Sequence, residues 1–167
     1  IDLALLDVQA AVMANQASNY LIGGQIPGRL GNAHPNIVPY QAFATLDSHI
    51  IVAVGNDQQF QRFCHVIGQP EWVDDPCYTS NTARVNNRET LCGHITQHLK
   101  QQTSLYWLSK LEANAVPCGP INTIDQVFDD PQLKSRNMLL TMQDHRAGDI
   151  QLVANPINYS RSQIEYD

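Results

Sequence analysis

The chain has 167 residues, of which 43% are hydrophobic and 16% are charged, and its formal net charge is -6. This composition excludes an intrinsically disordered chain, which combines low hydrophobicity with high net charge. An acidic chain with only ten lysines and arginines is also poorly suited to binding a nucleic-acid backbone. No apolar run approaches the roughly 20 residues of a membrane span, so we expect neither a nucleic-acid nor a membrane partner.

The cysteines are widely spread along the chain, and no two of them have the CxxC spacing of redox or zinc motifs. A chain of this size and apolarity does not need disulfide bonds to fold. We therefore expect reduced thiols and a cytoplasmic location. Cys64 and Cys92 lie within helical patterns and are predicted to be small core residues.

The first segment is amphipathic and predicts a helix from Ile1 to Ile22, ended by Gly23-Gly24. Because this helix is apolar on two sides, it is expected to pack between partners, and the chain is expected to be part of a longer polypeptide. The segment Gln25–Gln41 follows and is predicted to be a loop. Connections of this length in compact domains are usually functional or poorly ordered.

Two runs rich in β-branched residues, Ala42–Leu46 and Ile50–Val54, predict strands joined by a turn at Asp47-Ser48-His49. Asn56 or Asp57 is expected to cap the next helix. That helix is predicted to end at Gly68 and to bury an apolar face made of Phe60, Phe63, Cys64 and Ile67.

Two further helices are predicted, one from Ser80 or Thr82 to Leu99 and one from about Ser104 to Glu112. The residues expected to face the core are Val85, Leu91, Ile95 and Leu99 in the first helix, and Leu105, Trp107 or Leu108, and Leu111 in the second.

The segment Val116–Pro120 contains two prolines and predicts an extended or turning link. Thr123 is expected to cap a short helix, Ile124–Phe128. Two β segments follow, Leu139–Gln143 and Ile150–Val153. This order of elements indicates an α/β or α+β domain.

The residues alone point to no catalytic site. His94 and His98 have the i, i+4 spacing of a metal-binding pair, but no third ligand of defined spacing accompanies them. A surface or partly buried structural role is favoured for both, and no metal site is predicted. The chain also lacks the glycine motifs of nucleotide-binding loops and the GxSxG motif of hydrolases.

Several stretches, taken together and in order, carry a family resemblance. They are IDLALLD at 1–7, GNAHPNIVPYQAF at 31–43, IVAVGNDQQF at 51–60, NTARVNNR at 81–88, VPCGPIN at 116–122 and VFDDPQ at 127–132. The ordered set resembles the class III CoA-transferases, the CaiB/BaiF family. That family includes formyl-CoA transferase, carnitine CoA-transferase and α-methylacyl-CoA racemase.

The resemblance implies an α+β fold of the α/β family, with helices packed on a short β-sheet. It implies a linker helix and substrate-proximal loop at 1–41, a small domain at 42–115, and a return linker at 116–167. The linkers would join the small domain to a Rossmann-like large domain outside this chain. Because two subunits of the family interlock, a homodimer is expected.

The resemblance also implies where the chemistry lies. In the family, the aspartate that accepts the acyl group lies upstream of the segment that matches Ile1, and none of the twelve aspartates of this chain falls at that position. No catalytic residue is therefore assigned here, and the chain alone is expected to be inactive. The full-length enzyme is expected to move CoA between organic acids, with the CoA thioester as a substrate and no tightly bound cofactor.

The segment Gly31–Gln41 matches a loop that closes over the acyl end of the substrate in the family. In formyl-CoA transferases this loop is glycine-rich, whereas here it carries Pro35 and Pro39, which stiffen the backbone. This difference argues against a formyl and oxalate pair and favours larger dicarboxylates or other organic acids. The residues predicted to hydrogen-bond an acceptor carboxylate are His34, Asn36, Tyr40 and Gln41. Alternatively, these side chains hold the loop's own backbone.

Two other functions stay open at this point. The pattern from Val54 to Phe60 occurs in both the transferase and the racemase branches of the family, so an α-methylacyl-CoA racemase is the alternative enzyme. A non-enzymatic binding or assembly module is the alternative from another class.

Overall fold

The computed structural model describes residues 2–162, 164 and 166. The fold is α+β, as the sequence predicts, and the chain divides into two compact units between Pro120 and Ile121. The helices of the first unit are α1 (Leu5–Val12), α2 (Ala14–Leu21), α3 (Asp57–Val66), α4 (Asn81–Asn86), α5 (Arg88–Leu99) and α6 (Ser104–Ala113). Its strands are β1 (Tyr40–Ala44), β2 (His49–Ala53) and β3 (Cys118–Pro120). The second unit contains α7 (Ile124–Asp129), α8 (Pro131–Ser135), β4 (Leu139–Asp144) and β5 (Gly148–Val153).

The three strands of the first unit form an antiparallel sheet in the order β1-β2-β3, with Phe43 opposite Ile50 and Ile51 opposite Gly119. Strand β3 is not predicted by the sequence, because Pro117 before it and Pro120 at its end suggest a link rather than a strand. It is short and lies at the edge of the sheet, where proline is tolerated.

The first hairpin begins and ends earlier than the prediction of strands at 42–46 and 50–54. The hydroxyl of Thr45 accepts from the Ser48 amide at 3.1 Å, and the Thr45 amide donates to the Ser48 carbonyl at 2.9 Å. These bonds close the turn directly after Ala44. Leu46 therefore lies outside the strand and is 64% exposed.

Helices α5 and α6 pack on the sheet, and α3 packs against α6 and joins the same core. The predicted apolar face of α3 is confirmed, because all four of its residues are buried. The predicted core residues of α5 are confirmed as well, with Val85 of α4 partly buried beside them. The core includes Phe43, Ile50, Val52, Val54, Phe60, Phe63, Leu91, Ile95, Leu99, Trp107 and Leu111.

Two predicted helices are interrupted. The first begins at Leu5, since residues 2–4 are not helical and Ile1 lies outside the described residues. It breaks at Met13, whose amide bonds the Ala10 carbonyl three residues back, so α1 and α2 replace one continuous helix. The second breaks at Asn87, whose side-chain amide donates to the Ala83 and Cys77 carbonyls at 2.9 and 3.2 Å. Asparagine side chains compete in this way with the helical hydrogen-bond pattern.

The predicted burial of Leu105 is wrong, since its side chain is 76% exposed. Trp107 and Leu111, four residues apart, face the core from α6. Leu105 is two residues from Trp107, which is more than half a helical turn, and so it lies on the opposite side.

The predicted helix ends are confirmed at several positions. The side chains of Asn56 and Ser80 accept from the Gln59 and Ala83 amides at 2.9 and 3.2 Å, which caps α3 and α4. Gly68 follows α3 with a φ of +76°, a conformation that favours glycine.

The second unit has two short helices and a β-hairpin. Thr123 begins α7 as predicted, and its amide donates to the Gln126 side chain at 2.9 Å. Strands β4 and β5 confirm the two predicted β segments and pair with Met142 opposite Ile150. Over the described part of the chain, the helices are too short or too polar to cross a membrane.

Candidate functional site

The four predicted ligand-binding residues lie close together around the start of β1. His34 and Asn36 lie in the loop, whereas Tyr40 and Gln41 are the first two residues of the strand rather than loop residues. The strand begins early because the Tyr40–Ala53 and Gln41–Val52 pairs extend the ladder to the end of β2. The backbone confirms the connection between loop and strand, since the His34 amide donates to the Tyr40 carbonyl at 2.9 Å.

His34 and Tyr40 form a stacked pair at one side of the loop. Their ring centroids are 5.2 Å apart with an interplanar angle of 15°. His34 Nδ1 accepts from the Asn36 amide at 3.1 Å. A neutral imidazole that accepts at Nδ1 carries its proton on Nε2. The loop therefore fixes one ring nitrogen and makes the other a hydrogen-bond donor.

The side-chain amides of Asn36 and Gln41 contact other parts of the same unit. Asn36 Nδ2 donates to Asn19 Oδ1 of α2 at 2.9 Å. Gln41 Oε1 accepts from the Cys92 thiol at 3.6 Å. These contacts support the alternative role for both residues, because each helps to hold the loop and strand in place.

Three side chains from α4 and α5 bind the backbone of the loop, and we call Asn81, Arg84 and Arg88 the loop clamp. Asn81 Oδ1 accepts from the Val38 amide at 3.2 Å, and its Nδ2 donates to the Asn36 carbonyl at 2.7 Å. Arg88 Nη2 donates to the carbonyls of His34 and Pro35 at 2.9 and 2.7 Å. Asn81 and Arg88 together thus bond backbone groups of four residues between His34 and Val38.

Arg84 is the most buried member of the clamp, with no exposed surface. Its Nε donates to the Val38 carbonyl at 2.8 Å and its Nη1 to the Tyr78 carbonyl at 2.9 Å. Its Nη2 forms an ion pair with Asp57 Oδ1 at 2.8 Å, and the guanidinium lies 4.3 Å from the centroid of the Phe60 ring. A buried cation needs partners of this kind, and here they tie the loop to α3.

The sequence carries a signal for the clamp, although that signal does not specify a role. The stretch NTARVNNR contributes to the family resemblance, and its three clamp residues recur at three- and four-residue steps. That spacing places side chains on one helix face. What the spacing cannot supply is the partner, because loop carbonyls about 50 residues away carry no side-chain pattern.

A groove of about 430 Å³ lies between α2 and the loop. Polar groups from Asn19 and Asn36 meet there with apolar surface from Ile22, Leu30 and Pro35. The groove is open, and it lies beside the residues that the sequence predicts to face a substrate.

None of the thiols has the lowered pKa of a nucleophile. Burial raises the pKa of the Cys64 thiol to about 12 and that of Cys92 to about 11. Both residues are buried in helices, as predicted, and all four thiols are free. Cys77 is exposed, and the neighbouring Asp75 carboxylate raises its pKa.

His94 and His98 have the structural role that the sequence favours. Their rings lie 5.9 and 5.6 Å from that of Trp72, which is buried between α3 and α5. The i, i+4 spacing thus packs both imidazoles against one indole. Within residues 2–162, 164 and 166, no three His, Cys, Asp or Glu side chains are grouped so that they could hold a metal ion.

Comparisons with known proteins agree with the resemblance. The family model for CoA-transferase family III matches residues 1–167. A succinate–glutarate CoA-transferase of Agrobacterium fabrum is 44% identical over all of this chain and 42% of its own length. A human succinyl-CoA:glutarate CoA-transferase is 38% identical over 98% of this chain and 37% of its own length.

Structural comparison gives the same family. A CaiB/BaiF family protein from Brucella suis superposes with a TM-score of 0.81 at 41% identity, over 99% of this chain and 42% of that protein. The chain thus spans about two fifths of the length of the relatives it matches. It belongs to CoA-transferase family III.

Proposed function

We propose that this chain is part of an acyl-CoA:carboxylate CoA-transferase that moves CoA between organic acids, with dicarboxylates of the size of succinate and glutarate as substrates. The names of the two relatives described above support this substrate class. The loop supports it too, because Pro35 and Pro39 replace the glycine-rich segment of formyl-CoA transferases.

The proposed reaction uses an aspartate that lies outside this chain. Its carboxylate attacks the acyl-CoA thioester, forms a mixed anhydride and releases the CoA thiolate. The thiolate then attacks the aspartyl carbonyl, which gives an aspartyl thioester and frees the donor acid. The acceptor carboxylate reverses both steps, so that it takes up CoA and the aspartate is regenerated. Because the anhydride reacts with water, the site must exclude water during transfer.

The observation that carries this chain's part in the proposal is the stacked pair of His34 and Tyr40. The Asn36 amide donates to His34 Nδ1, so the Nε2–H of His34 is left to donate. A fixed N–H donor suits a carboxylate oxygen. We assign to His34, assisted by Tyr40, the binding of the acceptor acid, and to Asn36 and Gln41 the support of the loop around it.

The proposed domain division follows the family. Residues 1–41 form the linker helix and loop, 42–115 the small domain and 116–167 the return linker, whose first strand, β3, pairs with β2. The complete protein is proposed to be a cytoplasmic homodimer with a CoA thioester as substrate and no tightly bound cofactor.

The test is an exchange assay on the full-length protein that contains this chain. The protein is mixed with succinyl-CoA and glutarate, and the CoA esters are separated by chromatography. Glutaryl-CoA should form only when both substrates are present, and His34→Ala should raise the KM for glutarate. Failure to exchange CoA among succinate, glutarate and related dicarboxylates would contradict the proposal.

A parallel reaction distinguishes the alternative enzyme of the same family. A 2-methylacyl-CoA is incubated in deuterated water without an acceptor acid. A racemase would incorporate deuterium at the α-carbon, whereas the proposed transferase should leave that carbon unlabelled. Deuterium uptake without CoA transfer would therefore favour the racemase.

A further inference from the structure

Arg88 is the clamp residue nearest to His34, and its contacts are to backbone rather than to a side chain. Its Nη2 donates to two consecutive carbonyls, those of His34 and Pro35, at 2.9 and 2.7 Å. Holding both carbonyls fixes the orientation of two consecutive peptide groups. The second of these peptide groups carries the Asn36 amide, which donates to His34 Nδ1.

The Arg88 side chain is partly buried, and one end of its guanidinium lies inside the protein. Its Nη1 is buried and has no hydrogen-bond partner among the described residues. Leaving a buried charged donor unpaired costs free energy. The two bonds from Nη2 to the loop offset part of this cost.

The contacts connect into one chain of interactions from helix α5 to the imidazole. Arg88 orients the peptide groups at 34–36, the Asn36 amide occupies Nδ1, and Tyr40 stacks on the ring face. Asn81 secures the other side of the same segment through the Asn36 carbonyl at 2.7 Å. The ring is thus restrained in tautomer and in tilt by groups that do not reach its free nitrogen.

We infer that Arg88 is a positioning residue, which sets the tautomer and direction of His34 so that Nε2–H meets the acceptor carboxylate. This inference rests on the proposed function for the identity of the ligand. It goes beyond that proposal because it assigns acceptor affinity to a helix residue that does not itself touch the substrate. The restraint of the loop by Arg88 is independent of the proposed function, because it can be measured without any activity.

Two variants and one control test the inference in the full-length protein. Arg88→Ala removes both bonds to the loop, and Arg88→Lys keeps the charge but replaces the rigidly oriented Nη2 group, which bonds both carbonyls, by a flexible ammonium. Arg62→Ala is the matched control, since Arg62 also has a buried unpaired nitrogen and also donates to a backbone carbonyl, that of Ala115 at 3.2 Å.

Hydrogen–deuterium exchange of the peptide around 34–38 gives the readout that is independent of activity. In Arg88→Ala the His34 and Asn36 amides should exchange about tenfold faster, which corresponds to the loss of about one hydrogen bond. Arg88→Lys should lie between the wild type and Arg88→Ala. Arg62→Ala should leave this peptide unchanged. Equal exchange in wild type and Arg88→Ala would overturn the inference, whether or not the protein transfers CoA.

Kinetics give the second readout. Arg88→Ala should raise the KM for the acceptor acid about tenfold or more, because small displacements of a binding group have large effects, while the KM for the donor acyl-CoA and kcat change less than about threefold. Combining His34→Ala with Arg88→Ala should add little to either change alone, since both act on the same contact.

A uniform fall in kcat for Arg88→Ala, matched by Arg62→Ala, would mean that Arg88 serves only folding. A full-length protein without CoA transfer would refute the proposed function and leave the exchange result to decide the restraint of the loop.

Discussion

At the scale of single residues, Arg84 shows how a buried charge can organise a loop. It joins the Val38 carbonyl of the loop, the Tyr78 carbonyl before α4 and the Asp57 carboxylate of α3. The Asp57 carboxylate is the weakest of these partners, because its side chain is 59% exposed and solvent screens its charge. The two buried carbonyls are the partners that depend on Arg84.

Replacing Arg84 should therefore destabilise the protein much more than replacing its ionic partner. Arg84→Met leaves two carbonyls without a donor, and unpaired buried groups cost roughly 1–3 kcal/mol each. We expect the free energy of unfolding to fall by about 3 kcal/mol, and by less than about 1 kcal/mol for Asp57→Asn. Urea denaturation followed by circular dichroism measures both values. Equal losses in the two variants would contradict this account.

Asp47 provides a residue-scale prediction about pH. Its carboxylate accepts from the Ser104 amide at 2.7 Å and from the Thr45 hydroxyl at 3.0 Å. The bond from the Ser104 amide, more than the Thr45 bond, lowers the pKa of Asp47 below its ordinary value. A carboxyl with a lowered folded pKa stabilises the protein above its unfolded pKa of about 3.9, and this contribution is lost as the pH falls through the folded pKa.

The difference in stability between wild type and Asp47→Asn should therefore be constant from about pH 5 to 7 and should shrink below about pH 4. Urea midpoints measured across this range test the expectation. The exposed Asp74→Asn variant serves as the control for the general effect of acid. If the wild type became more stable relative to Asp47→Asn as the pH fell, the pKa of Asp47 would be raised by folding rather than lowered, which would contradict the prediction.

At the scale of elements, the sequence predicts best where hydrophobic spacing and local caps act together. The buried face of α3 and its end at Gly68 are predicted, and Asn56 is one of the two expected caps, because these signals lie close together in the sequence. The interruption at Asn87 is missed, because a side-chain amide replaces the helical bonds without disturbing the apolar spacing. Strand β3 is missed because its proline is unfavourable for a strand, and its pairing with β2 depends on a distant segment of the chain.

The candidate site shows the same limit at the level of the loop. The sequence predicts that His34, Asn36, Tyr40 and Gln41 lie near one another, because they are neighbours in the chain. It does not predict which of their atoms are already engaged, since Asn19, Cys92 and Arg88 reach them from distant segments. The helical spacing of Asn81, Arg84 and Arg88 is visible in the sequence, but their partners are loop carbonyls, which leave no pattern in the loop sequence.

At the scale of the whole molecule, helices α1 and α2 stand out because they expose many apolar side chains. Leu5, Leu6 and Ile22 are 88, 79 and 88% exposed, and neither helix contains a buried residue. The predicted two-sided apolar pattern is present on these helices. Large contiguous apolar patches of this kind usually mark interaction surfaces.

We predict that the 167-residue chain, produced alone, associates with itself through this surface. Replacing Leu5 and Leu6 together by glutamate should shift it toward the monomer, because charge opposes burial of the patch. Replacing the exposed Leu105 of α6 by glutamate should not. Sedimentation equilibrium measures the association. A monomeric wild-type chain at high concentration would contradict the prediction.

The central claim is that this chain presents the acceptor acid and that the reacting carboxylate lies outside it. The most direct measurement uses glutarate labelled with heavy oxygen in its carboxylates, together with succinyl-CoA and the full-length protein. By the proposed steps, the acceptor leaves one of its oxygens on the enzyme's aspartate when CoA is taken up. Peptide mass spectrometry should find the label on one aspartate outside residues 1–167, whereas a labelled aspartate within the chain, or turnover without labelling, would contradict the account.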